Sequence, residues 1–191
     1  RKCEGITCGL VARGDFDFTE ARRQFCKTYA DQKFGSNVMS WERLDSLMSS
    51  PIVSHLLLFS DGAEKEVGMV MLYLEEKSLA YYYYSFYDLD YFDRNLGMFM
   101  MTSAVNFFGE SGYEHLALGT CYQKNALYKT QFKGAQFFNG FKWPDNLKEL
   151  PYLLERDGRQ VSQHLVETEE YRQLFHADDL AGIAHPSLFS L

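Results

Sequence analysis

Residues 66–108 read EVGMVMLYLE (66–75), EK, SLAYYYYSFY (78–87), DLDYFDRNLG (88–97) and MFMMTSAVNFF (98–108). Two runs rich in β-branched, aromatic and other apolar residues flank the charged Glu76–Lys77 turn, which predicts two strands joined by a tight connection. An aspartate-rich loop follows. From Leu96 to Phe108 the chain is apolar on nearly every side of a helical projection, so the stretch predicts a helix deep in a core. Gly109 and Gly112 end it.

Working outward, Ser54–Ser60 (SHLLLFS) is a further short strand, and Asp61-Gly62 turns it into the next one. These three strands predict an antiparallel meander. Upstream, Phe18–Lys33 reads as a helix capped by Thr19, with Phe18, Phe25 and Tyr29 on its apolar side. A second helix starts at Ser40, carries Trp41, Leu44, Leu47 and Met48 at helical spacing, and stops at Pro51. Downstream come a strand at His115–Leu118, a short helix at Asn125–Phe132, a strand at Ala135–Trp143, and an amphipathic helix near Val161–Phe175. This order predicts an α/β fold, one mixed sheet with helices on both faces. No repeat or low-complexity linker interrupts it. The expectation is one domain over 1–191, with N-terminal helices at about 18–50, a core at about 54–143 and a C-terminal helical segment at about 145–191.

Composition narrows the function classes. Hydrophobic residues are 46% and charged residues 24%, a globular balance rather than a disordered one. The net charge of -7 gives no long-range basic field for nucleic acid, so any RNA contact would need a local basic patch. No window approaches ~18 uninterrupted apolar residues, and no signal-peptide pattern is present. Cys3, Cys8, Cys26 and Cys121 lack framework spacing, which predicts reduced thiols and a cytoplasmic protein. The five histidines show no His-x-x-x-His spacing, so no metal site is expected. Gly-x-Ser-x-Gly elbows and Walker loops are absent from the sequence.

Three segments can carry chemistry. The first is Arg94-x-x-Gly97, at a helix start whose outward amides attract anions; the same residues also read as an ordinary turn. Acyl-CoA acetyltransferases of this architecture use Arg/Gln-x-x-Gly-x-Gly/Ala there to cradle a pyrophosphate, and Phe99 stands at the last small position. The second is the run Tyr81–Tyr84. Strand side chains alternate, so two of these phenols share a side, where they can orient a carbonyl or move a proton, or simply pack. The third is Tyr128-Lys129-x-x-Phe132-Lys133, where Lys124, Lys129 and Lys133 at near-helical spacing make a basic stripe or a solvated face. Cys121, near a predicted strand end, is either a nucleophile or an inert buried thiol.

Taken together, these residues resemble the arginyl-tRNA–protein transferase family, including its bacterial leucyl-transferring relatives. Tyr82-Tyr83-Tyr84 through Asp88-x-Asp90-Tyr91 resembles the family's Tyr-Tyr-Asp-Pro-Asp-Tyr strand end, and Leu96-Gly97 its Ser-Leu-Gly helix start. Gly119 and Tyr128-Lys129-x-x-Phe132 resemble its Leu-Gly-Tyr and Met-x-Tyr-Lys-x-x-Phe-x-Pro segments. The resemblance implies a Gcn5-related N-acetyltransferase-like fold and protein arginylation: an amino acid passing from an aminoacyl-tRNA to a protein N-terminal α-amine, with no cofactor. It further implies Asp88, Asp90 and Tyr84 as catalytic groups, and Tyr82, Arg94, Leu96, Gly97, Cys121, Tyr128 and Lys129 as substrate-binding groups. Two alternatives stay open: an N-acetyltransferase using acetyl-CoA, and a non-catalytic relative that binds peptides.

Overall fold

Thr19 and Ser40 fix where the first two helices begin. The Thr19 hydroxyl accepts from the Arg22 amide at 3.3 Å and opens α1, Glu20–Phe34. The Ser40 hydroxyl accepts from the Arg43 amide at 3.2 Å and opens α2, Trp41–Ser49. Each cap satisfies an amide that has no partner within its helix and stabilises by ~1 kcal/mol. These elements, and those below, come from a computed structural model that describes residues 2–144 and 146–179.

The sheet has five strands in chain order: β1 Thr7–Ala12, β2 His55–Ser60, β3 Glu66–Glu75, β4 Leu79–Tyr87 and β5 His115–Ala117. The first four are antiparallel, and β5 runs parallel to β4. A parallel neighbour requires a crossover, which is supplied by α3, Leu96–Glu110. Alternation along β3 places helices on both faces. Met69 turns its sulfur to the Cys26 thiol of α1 at 3.6 Å. Gly68 turns the other way, where a Cβ would meet the Met100 sulfur of α3 at 2.6 Å. Val67, Met69, Val70, Met71 and Leu72 are all fully buried, which is why β3 reads as a continuous apolar run. Each such side chain contributes ~1.5–3 kcal/mol.

The expected α/β mixed sheet, its meander, α1, α2 and α3 are all present. Three local differences have physical causes. β1 has no counterpart in the sequence reading; it exists through pairing, with Cys8 opposite Phe59 and Leu10 opposite Leu57. Ala135–Trp143 forms no strand. The Asn139 side chain accepts from the amides of Phe141 and Lys142, both at 2.9 Å, and so competes with a ladder. The expected helix at 161–175 is broken. Glu167 caps the His164 amide, a 3-10 turn follows at Leu165–Glu167, and only α5, Glu169–His176, is α-helical. Ahead of it lies α4, Glu149–Asp157, whose Pro151 is tolerated because it sits in the first turn.

The chain folds as two compact units, one ending at Gly119 and one beginning at Thr120. The second holds a buried polar cluster. Glu149, 1% exposed, accepts from the Asn139 amide at 2.8 Å and from the Tyr171 hydroxyl at 2.6 Å. The enclosed Nε2 of His176 lies 3.8 Å from the same carboxylate. The C-terminal segment is described as far as residue 179; the remainder, with His185, lies outside the described residues.

Burial pushes the His176 pKa down, with Lys142 adding to the effect and Glu149 opposing it. A neutral native ring stabilises fully above the ordinary histidine pKa, ~6.5, and that contribution is lost as pH falls through the lower folded value. Urea titrations of the whole chain across pH 5–8 should therefore show stability falling below pH 6.5. The His176→Gln variant should show a flatter profile.

Candidate active site

β5 leaves β4 early. Pairing is confined to Leu79 with His115, Ala80 with Leu116 and Tyr81 with Ala117, while β4 runs on to Tyr87. From Tyr82 onward, among the described residues of the first unit, no strand lies on that side of β4. A fork therefore opens in the sheet, with backbone amides and carbonyls along one arm.

A β-bulge sits at this fork. Met71 pairs with Tyr84 and Leu72 with Tyr82, leaving Tyr83 without a partner in the ladder. Strict alternation of the four tyrosines, as expected from the sequence, is broken there. Tyr83 and Tyr84 fall on one face together, their ring centroids 6.1 Å apart and their planes at 77°. Tyr81 adjoins Tyr83 at 5.6 Å, and Tyr84 stacks on Phe86 at 5.4 Å. Phe86 in turn meets Tyr29 of α1, so these rings lie on the α1 face of the sheet. Tyr82 turns the opposite way and is 6% exposed, a packing position. The sequence singles out the run Tyr81–Tyr84 but gives individual roles only to Tyr82 and Tyr84, because nothing in a run of four tyrosines marks which one is bulged.

The loop from β4 to α3 is held on several sides. The Asp88 carboxylate accepts from the Asp90 amide at 3.0 Å and from Lys65 at 2.7 Å. The Tyr91 hydroxyl donates to Asp61 at 2.8 Å. That bond, with the amides of Ala63 and Lys65, holds the Asp61 carboxyl below its usual range. Asp90 is exposed. Asp88 is half-buried and engaged by both the Asp90 amide and Lys65. Asn95 adopts the left-handed conformation, φ 62°, and turns the chain into α3.

At the helix start, Leu96 is fully buried, which leaves only its backbone for a ligand. A Cβ on Gly97 would lie 2.9 Å from the Tyr87 ring, so glycine is what lets the helix start against the end of β4. Phe99 points its ring at Phe59 of β2, centroids 6.4 Å apart. It therefore packs against the sheet rather than standing in front of the first helical turn. Arg94 donates Nε to the Lys2 carbonyl at 2.6 Å and lies over the Tyr91 ring. Its Nη groups donate no hydrogen bond among the described residues.

Cys121, Tyr128 and Lys129 belong to the second unit. Burial raises the Cys121 pKa despite the nearby Lys129 charge, which disfavours a thiolate nucleophile. Lys129 donates to the Thr120 carbonyl at 2.9 Å, and burial lowers its pKa. The three lysines do not form one stripe: Lys124 and Lys133 are exposed while Lys129 folds back. Tyr128 is exposed at the surface, on a 3-10 helix, Lys124–Gln131. A hollow of 320 Å³ lies against Thr19, Arg22, Phe25 and Glu66, and one of 380 Å³ against Tyr152, Arg156, Arg159 and Glu170. Neither is lined by Gly97. No helix among the described residues is long and apolar enough to cross a membrane.

This architecture is an α/β fold of the Gcn5-related N-acetyltransferase-like kind. It is similar to a possible acetyltransferase from Clostridium difficile 630 at a TM-score of 0.51 and 12% identity, over 74% of this chain and 98% of that one. An aminoglycoside acetyltransferase from an uncultured soil metagenomic sample matches at a TM-score of 0.45 and 19% identity, over 73% of this chain and 96% of that one. An acetyltransferase of the GNAT family from Staphylococcus aureus Mu50 matches at 0.46 and 12%, over 70% and 88%. No family model and no curated protein matches the sequence.

Gly97→Ala should destabilise by about 1–3 kcal/mol, the usual range for an overpacked contact. Chemical denaturation would show it as a lowered midpoint. Combining the change with Tyr87→Leu, which removes the ring in the way, should return part of the loss; an additive double variant would disprove the contact as the cause.

Proposed function

We propose that the chain is an N-acyltransferase that takes its acyl group from acetyl-CoA. The observation that carries this reading is the fork beside β4, bulged at Tyr83 and leading to the glycine-assisted start of α3. A coenzyme A thioester suits that arrangement chemically. Its extended arm carries amides that can pair with the backbone of β4 beyond Tyr82, where β5 has diverged, and its pyrophosphate is an anion suited to the amides that open α3. Arg94, whose Nη groups donate no hydrogen bond among the described residues, adds positive charge just ahead of that helix, where phosphates would lie.

The thioester is already activated, so the protein's work is positioning and proton handling. A neutral amine attacks the carbonyl carbon, forming the C–N bond as the C–S bond breaks. The amine proton leaves to water. The departing thiolate takes a proton from Tyr84, whose hydroxyl has no hydrogen-bond partner among the described residues and stands where β5 has diverged. Asp88 serves the loop by bracing Lys65 and the Asp90 amide.

The aminoacyl-tRNA reading is supported by the resemblance from Tyr82 to Phe132. Against it stand the net charge of -7 and the engagement of Lys129 with a backbone carbonyl. Acetyl-CoA should raise the melting temperature, and Arg94→Ala should weaken that binding by on the order of tenfold. Tyr84→Phe should lower kcat by on the order of a hundredfold with little change in KM. Transfer from arginyl-tRNA to an acidic-N-terminus peptide, without any response to acetyl-CoA, would reverse the assignment. Silence toward both donors would leave the non-catalytic relative.

A further inference from the structure

We propose that Tyr83 and Tyr84 form an aromatic corner that holds an ammonium group of the acyl acceptor, so that the acceptor is an oligoamine. The proposal rests on the acyl-transfer reading for the site and adds the class of its second substrate. The bulge carries the geometry: it places two adjacent phenols on one face, nearly perpendicular at 77° with centroids 6.1 Å apart, and Tyr81 extends the wall at 5.6 Å from Tyr83. Phe86 stacks on one side of Tyr84; an ammonium group entering the angle between the Tyr83 and Tyr84 planes would meet the negative faces of both rings, the arrangement aromatic cages use.

Several other aromatic rings of the protein carry one of its own cations. Arg22 lies 4.4 Å from the Phe16 centroid, Arg23 4.4 Å from Trp41, Lys33 4.9 Å from Phe92, and Lys77 4.6 Å from Tyr113. Among the described residues no lysine or arginine stands over Tyr83 or Tyr84, and both rings are half-exposed. The net charge of -7 favours a cationic occupant over an anionic one. The corner stands where β5 parts from β4, beside the arm on which the thioester would lie. Attack needs a neutral amine, whereas a cage needs a charged one. A compound carrying at least two amino groups meets both demands, one held against the rings while the other reacts.

Binding of choline is compared with that of 3,3-dimethylbutan-1-ol, its uncharged isostere, by tyrosine fluorescence and NMR titration of the full chain. Spermidine serves as an oligoamine probe in the same titrations. Choline and spermidine should bind wild type and Tyr83→Phe alike. The isostere should bind at least about tenfold more weakly, and Tyr83→Leu should weaken choline by on the order of tenfold. Equal binding of choline and its isostere would show a merely apolar patch and overturn the proposal. So would choline affinity unchanged in Tyr83→Leu, or no choline binding at millimolar concentration. The isostere comparison needs only wild type, so it stands even where the leucine variant misfolds. Acetyl-CoA is titrated in parallel. A lost acetyl-CoA response with retained choline binding would sink the donor assignment alone, and the converse would sink the aromatic corner alone.

Discussion

The contact between the end of β4 and the start of α3 is the constraint on which the first unit depends. With no Cβ on Gly97, the helix begins directly against the Tyr87 ring, which also packs on Tyr29 with centroids 4.8 Å apart. The close approach fixes where the crossover helix starts, and the helix delivers the chain to the far side of β4. β5 then pairs with three residues and diverges. Helix start and crossover thus follow from one close contact, while the bulge and the fork are set by strand register. The apolar burial of Leu96, Met100, Ala104 and Phe108 makes that contact hard to undo.

The loop before the helix is held by polar contacts of modest individual strength. Tyr91 with Asp61 and Lys65 with Asp88 tie the β2–β3 turn to the β4–α3 loop, while the Cys3 thiol and the Lys2 carbonyl meet Arg94 from the N-terminal side. Exposed pairs such as Lys65–Asp88 stabilise by ~0–1 kcal/mol. Their value lies in direction: they orient a loop whose backbone already turns at Asn95. Asp61 and Asp88 are engaged in these contacts, and the proposed proton chemistry is given to a phenol on the sheet.

Much of the frame is legible residue by residue. Thr19 and Ser40 announce helices because a hydroxyl there satisfies an amide that nothing else in the helix can reach. The apolar run from Leu96 announces a buried helix, and Asp61-Gly62 and Glu76-Lys77 announce turns. The candidate site is legible only as a neighbourhood. The sequence points to Tyr81–Tyr84 and Arg94–Gly97 but does not show that Tyr82 is buried while its neighbours Tyr83 and Tyr84 are only half-buried. It also offers Asp88 and Asp90 as bases without showing that one braces Lys65 and the other stands in water.

By itself the sequence determined the local elements and the class of fold, because caps, turn residues and hydrophobic period act within a few residues of chain. Only the tertiary structure decided which tyrosine lost its strand partner, where β5 parted from β4, and which way Phe99 turned its ring. It also created β1, for which pairing with β2 was required. Those outcomes depend on register between strands distant in sequence, and on packing between side chains brought together by the fold, neither of which leaves a mark on neighbouring residues.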